Sequence, residues 1–99
     1  MIIILSTTHR KKEAKYLAKV LVERKFASCV QINKIKSCYI WGGKICSHDE
    51  WKLSIKTRKK YIQKIKKLFD KRHSYEVFEF IIIKCKATKN YNKWLKNTL

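Results

Sequence analysis

The chain contains no proline and only two glycines, the adjacent Gly42 and Gly43. That excludes collagen-like and low-complexity architectures and leaves few positions where the backbone turns freely with positive φ. Acidic residues are scarce, 7 against 25 Lys+Arg, for a formal net charge of +18. No stretch approaches the ~20 consecutive apolar residues that span a bilayer, so no membrane segment is expected. The apolar start, Met1-Ile2-Ile3-Ile4-Leu5, has no basic region before it and no cleavage site after it. It reads as a strand and not as a signal peptide. The four cysteines, Cys29, Cys38, Cys46 and Cys85, form no CxxC pair and match no zinc-finger spacing. Reduced thiols in a soluble, cytoplasmic protein are the expectation. There is no Gly-rich phosphate loop and no nucleophile–base pair with supporting cues, so catalysis is not expected.

What remains is a composition able to fold. Hydrophobic residues make up 45% and aromatics 12% of the 99 residues, which is not the composition of a disordered tail. A chain of this size buries roughly 60–65% of its unfolded surface, so one domain with a modest core is expected, and self-association would help it. The positive charge is carried by 21 Lys and only 4 Arg. Lysine acts as a point charge, whereas arginine reads guanine and phosphate with two parallel hydrogen bonds. Lys, Ile and Asn are also what an A/T-rich coding sequence supplies. A compositional origin and a nucleic-acid partner therefore both account for the charge at this point.

The hydrophobic pattern changes period along the chain. Residues 1–7 are a continuous apolar run, as in a buried strand. Over 8–25, Ala14, Leu17, Ala18, Leu21 and Val22 recur at helical spacing, with Thr8 as the expected N-cap. Residues 27–41 are β-branched and aromatic, Gly42-Gly43 reads as a hairpin turn, and Trp51, Leu53, Ile55 and Thr57 alternate with polar residues on the return. A second helix is predicted over 58–72, a strand over 78–85 and a short C-terminal helix over 90–95. The order β-α-β-β-α-β is that of an α+β, ferredoxin-like sandwich, one domain over 1–99, with a long hairpin and a short terminal helix. Two helices cover one face of such a sheet. The other face, with apolar residues from the first strand and the alternating hairpin, is expected to meet a partner.

Several words stand in a specific order: Ser6-Thr7 after the first strand, Ala27-Ser28-Cys29-Val30, Tyr39-x-Trp41-x-Gly43-Lys44, Glu50, Lys56-Thr57, His73-Ser74-Tyr75-Glu76-x-x-Glu79, and Tyr91-x-x-Trp94-Leu95. In this order the chain resembles the CutA family, the divalent-cation tolerance proteins, nearly end to end. The resemblance implies a homotrimer of ferredoxin-like protomers, PII-like in architecture, with sheets packed inward and the long hairpin reaching a neighbour. The chain departs from the family where prolines usually stand: Ser74 and Phe78 replace them, and a preset extended approach to the last strand is lost.

Candidate sites follow, each with a structural alternative. Cys29, the family's cysteine, is a candidate soft ligand for copper or another divalent metal ion, or else a small buried hydrophobe. A lone thiolate is an incomplete site, which three copies meeting at an axis would complete. His73 and Glu76, in a segment with Tyr75 and Glu79, offer imidazole and carboxylate to a divalent ion. The alternative is a loop in which His73 caps the preceding helix. The resemblance places Trp41, Lys56, Thr57, Tyr75 and Glu79 in an inter-subunit cleft; the aromatics serve equally as interface anchors. A metal-homeostasis or PII-like signalling role, with metal ions and other copies of the chain as partners, is the first reading. The second is a basic nucleic-acid-binding module on the same fold, not favoured because the strands lack the aromatic pattern of RNA-recognition domains.

Overall fold

The structure, a computed structural model, describes residues 1–99. In chain order its elements are β1 (Ile2–Thr8), α1 (Lys11–Glu23), β2 (Cys29–Trp41), β3 (Lys44–Thr57), α2 (Ile62–Arg72), β4 (Ile81–Lys84) and α3 (Lys89–Thr98). A 3-10 turn at Lys59–Tyr61 leads into α2. The strands form one antiparallel sheet in the order β2-β3-β1-β4. This is the ferredoxin-like α+β arrangement expected.

Register decides which side chains reach the core. Ile2, Ile4 and Ser6 stand opposite Thr57, Ile55 and Leu53, and all six are buried. Directly paired residues share a face, so this is the helix-covered side of the sheet. Ala14, Leu17 and Leu21 of α1 and Ile65, Leu68 and Phe69 of α2 close over it. Both helices present their apolar stripes at i, i+3, i+4 and i+7 spacing. The alternation of β3 thus feeds the covered face, contrary to the expectation that the hairpin supplies apolar residues to the open one. The open face is mixed. Gln31, Asn33, Lys52, Ser54 and Lys56 occupy its β2–β3 half, and Ile3, Leu5, Ile81 and Ile83 its β1–β4 half.

Two local features differ from the sequence reading. Thr8 is the last residue of β1 and does not cap α1; its hydroxyl donates to Glu13 Oε2 at 2.6 Å. The N-cap position is Arg10, with no side-chain bond. At the other end α1 stops at Glu23, short of the expected residue 25, because Lys25 adopts φ 57°. Lys25 N–H donates to Val22 O at 3.0 Å and Phe26 N–H to Leu21 O at 2.9 Å. That pair of bonds is the Schellman closure, here built on lysine where glycine is usual.

The hairpin runs past the helices. Its turn is Gly42-Gly43, with φ of 58° and 75°, the conformation a two-residue primed turn requires. Toward the tip, Ile40 and Ile45 are 74% and 81% exposed and Trp41 is 54% exposed. The molecule is accordingly elongated, 45 × 25 × 21 Å.

Candidate functional site

The hairpin arm and the segment between α2 and β4 enclose an open cleft of about 1120 Å³, lined among others by Tyr39, Trp41, His48, Glu50, Tyr75 and Glu79. Its floor is held from behind by Glu13, on the first turn of α1. The Glu13 carboxylate accepts from Thr8 Oγ1 (2.6 Å), from Ser74 N–H (2.7 Å) and from Ser74 Oγ (2.7 Å). Burial alone would raise its pKa, but these bonds to the ionised form outweigh it and hold the carboxyl below its usual range.

Ser74 therefore supplies what the family proline does not. Its N–H and hydroxyl fix the loop to Glu13 by hydrogen bonds, where a proline would restrict it sterically and offer no donor. Phe78, at the second proline position, packs against Phe69, Phe80 and the His73 ring.

His73 is fully enclosed, with 0% side-chain exposure. Its Nε2 lies 2.7 Å from Thr7 O and its Nδ1 accepts from Tyr75 N–H at 3.0 Å. These partners assign the tautomer with the proton on Nε2 and leave no free nitrogen lone pair. Imidazole here joins β1 to the loop. In the single chain both His73 nitrogens, expected from the residue type to be available to a metal, are engaged by the backbone. Glu76 is exposed on the cleft wall. Cys29 starts β2 opposite Lys56, whose β1 neighbour is Ile3. His73 meets β1 at Thr7, four residues on, which is roughly 13 Å of strand. The three expected metal ligands are therefore not brought together, and no three His, Cys, Asp or Glu side chains converge into a metal-holding group.

The expected cleft residues fall into two sets. Trp41, Tyr75 and Glu79 line the cleft. Lys56 and Thr57 sit at the far end of β3, where the Thr57 hydroxyl donates to Phe26 O and the Lys56 ammonium lies 5.4 Å over the Tyr91 ring. Trp41 pairs with Lys44 at the hairpin tip, twelve residues along β3 from Lys56, or roughly 40 Å of extended chain. One chain cannot join the two sets.

Two residues matter more than their sequence context suggested. Glu50 is only 6% exposed, and Tyr75 OH donates to its Oε2 at 2.6 Å. Burial and this carboxylate push the Tyr75 phenol well above its ordinary value. Glu79, half-buried nearby, has its pKa raised by burial and by Glu50, with Lys52 pulling the other way. His48 Nε2 lies 2.8 Å from Tyr39 OH, and His9 stacks on Tyr75 with ring centres 5.4 Å apart. Glu50 carried no burial signal, since it alternates with Trp51, Leu53, Ile55 and Thr57 on the same outward positions of β3 as Lys52, Ser54 and Lys56. Glu13 carried no signal, since the polar face of a helix is where an acid belongs.

An all-antiparallel sheet of this order, covered on one side and carrying an overshooting hairpin beside an aromatic and carboxylate cleft, is a ferredoxin-like domain of the PII-like kind. A family model described as CutA1 divalent ion tolerance protein matches residues 2–98. The chain belongs to this family. It is 34% identical over 99 residues to the chloroplastic protein CutA of Arabidopsis thaliana, covering 98% of this chain and 54% of that one. The chain thus spans just over half the length of the plant relatives it matches. Among solved structures, the periplasmic divalent cation tolerance protein CutA from Archaeoglobus fulgidus superposes with a TM-score of 0.94 at 32% identity, over 99% of this chain and 98% of that one. The PII-like protein CutA from Nostoc sp. PCC 7120 superposes with a TM-score of 0.91 at 28% identity, over 99% and 96%.

Proposed function

We propose that this chain is a homotrimeric, cytoplasmic divalent-cation tolerance protein that binds copper or another divalent ion, in a PII-like role of holding a ligand and not transforming it. The observation carrying this is the open face of the sheet. Ile3 and Leu5 pair with Ile83 and Ile81, and the two β4 residues are 40% and 47% exposed in the single chain. An apolar strip of this kind on so small a domain calls for cover, and other copies of the chain supply it by symmetry. The same packing would bring Lys56 of one copy, which stands on this face, toward the hairpin cleft of the next, while Thr57 is buried on the covered face. Cys29 lies on this face, so copies would also multiply the one soft donor it offers. A cytoplasmic setting is supported by the free thiols. Cys38 and Cys46 are one register step apart on β2 and β3 and so point to opposite faces, which leaves them unable to pair.

Nucleic-acid recognition by the central sheet finds no support, because no aromatic ring stands at the open-face positions of β1 and β4 or of β3 from Glu50 to Lys56, where bases would stack; the open-face rings Tyr39, Trp41 and His48 lie on the hairpin arm. The test is light scattering together with copper titration of the parent chain, Cys29→Ser and His73→Gln. We expect a mass about three times 11.9 kDa. Copper uptake should fall in Cys29→Ser and persist in whatever His73→Gln remains folded. A monomeric parent, or unchanged copper stoichiometry in Cys29→Ser, rejects the corresponding half of the proposal.

A further inference from the structure

The acids and bases are separated along the molecule. Glu50, Glu76, Glu79 and Asp49 line the hairpin cleft, and Glu13 lies behind it. Glu23 and Asp70 are paired with Lys19 and Lys66. No Asp or Glu of the same chain is left for the opposite end, where a second concavity of about 890 Å³ opens between the start of β1, the 3-10 turn before α2, the end of β4 and α3. Arg58, Lys59, Lys60, Lys84 and Lys96 line it.

The fold gathers these five side chains from three segments, Arg58, Lys59 and Lys60 at the 3-10 turn, Lys84 on β4 and Lys96 on α3. Ile2 pairs with Thr57 on one side and with Lys84 on the other, so Arg58 and Lys84 flank the edge of β1. Lys96 follows Asn92 by four residues on α3, and Gln63 follows Lys60 by three, which turns each amide toward the same space as its lysine. None of the five cations has a carboxylate within ion-pairing distance; the molecule's ion pairs all lie elsewhere. Like charges held together without counter-charge repel, and a multivalent anion relieves that repulsion.

The walls say which anion. The lining has no aromatic ring, and its apolar part is Met1 and Ile2. Base stacking, the sequence-tolerant component of single-strand nucleic-acid binding, has no platform here. The volume falls within the roughly 300–1,000 Å³ of small-ligand sites. A single phosphate offers few oxygens to five cations contributed by three segments of the chain, whereas a linear chain of phosphates offers a charged group to each of them along its length. Four of the five are lysines, which serve phosphate as adaptable point charges. We propose that this concavity binds a linear oligophosphate, the chemistry shared by inorganic polyphosphate and the phosphate chain of a nucleotide.

The test is calorimetric titration of the full chain with inorganic tripolyphosphate, orthophosphate, ATP and an oligo-dT at near-physiological salt. It compares the parent with the triple variant Lys59→Gln/Lys84→Gln/Lys96→Gln. Lys12→Gln/Lys15→Gln/Lys71→Gln is the control, removing the same charge from exposed helix positions away from the concavity. We expect the site variant to weaken tripolyphosphate binding by at least about tenfold, the effect of losing several charge-assisted contacts. The control should stay within about threefold, and orthophosphate should bind far more weakly than tripolyphosphate. ATP binding as tightly as tripolyphosphate identifies the phosphate chain alone as the ligand; tighter ATP binding points to a nucleotide, and either supports the proposal. Equal weakening in the two triple variants, or oligo-dT binding phosphate for phosphate as tightly as tripolyphosphate, overturns it.

Discussion

At the scale of single residues, the stability of the cleft converges on Glu13. Its carboxylate takes three hydrogen bonds and its pKa is lowered in the fold. A depressed carboxylate pKa stabilises the fold above the unfolded value, near 4.5, and that contribution is lost as pH falls through the folded value. Glu79 works with the opposite sign. Its pKa is raised, so its contribution is present below about 4.5 and is lost as pH rises through its folded value. Urea midpoints measured from pH 3 to 7 should therefore show Glu13→Gln flattening the acid limb and Glu79→Gln flattening the decline above it. An acid limb in Glu13→Gln as steep as the parent's would refute the role given to Glu13. The Tyr75–Glu50 bond makes a sharper demand, because Glu50 is buried. Tyr75→Phe leaves that carboxylate without its donor and should cost about 1–3 kcal/mol in denaturant unfolding. Tyr75 and Glu79 stood out in the sequence because they sit in a recognisable word. Glu13 did not, because its partners come from residues 8 and 74, a closure that no local pattern encodes. His73 was legible as a functional type, whereas its partners were not. Its two nitrogens are consumed by backbone groups, Thr7 O and Tyr75 N–H, which carry no side-chain identity to read.

At the scale of elements, the scarcity of glycine has a structural cost. Both glycines are spent on the hairpin turn, so the C-terminal end of α1 is closed by Lys25 in the left-handed region. A residue with Cβ is disfavoured there by about 1 kcal/mol relative to glycine. Lys25→Gly should therefore raise stability by up to about 1 kcal/mol, with the Val22 and Leu21 carbonyl bonds retained. A lowered thermal midpoint would show that the lysine side chain contributes more there than its backbone strain costs. The periodicity of α1 gave Ala14, Leu17 and Leu21 as its buried face, but Val22, counted in the same stripe, is exposed, and Phe26 continues the apolar rhythm past the reversal. The β4 strand shows the converse. The apolar run Phe78 to Cys85 suggested eight strand residues, and four are in the ladder, Ile81–Lys84. Phe78 and Phe80 are drawn instead into a ring cluster with Phe69. Hydrophobicity marks a segment for burial without saying whether a ladder or a side-chain cluster will bury it.

At the scale of the whole molecule, charge and apolar surface oppose each other. The open sheet face favours association, while each copy brings a formal +18 to the assembly. Long-range repulsion between exposed charges is screened over about 10 Å at 0.1 M salt and about 30 Å at 0.01 M. Burial of the Ile3, Leu5, Ile81 and Ile83 strip depends far less on ionic strength, because it removes apolar area from water and involves no counter-ions. Assembly should therefore tighten as salt rises from about 10 mM to several hundred millimolar, the reverse of a complex held by ion pairs across its interface. Sedimentation or light scattering over a dilution series at each salt concentration measures this directly. Tripolyphosphate adds a second arm: if it neutralises the lysine-lined concavity, micromolar amounts should strengthen association at low salt in the parent and not in Lys59→Gln/Lys84→Gln/Lys96→Gln. Association that weakens steadily with added sodium chloride would mean that charged contacts between copies, and not the apolar strip, hold the assembly together.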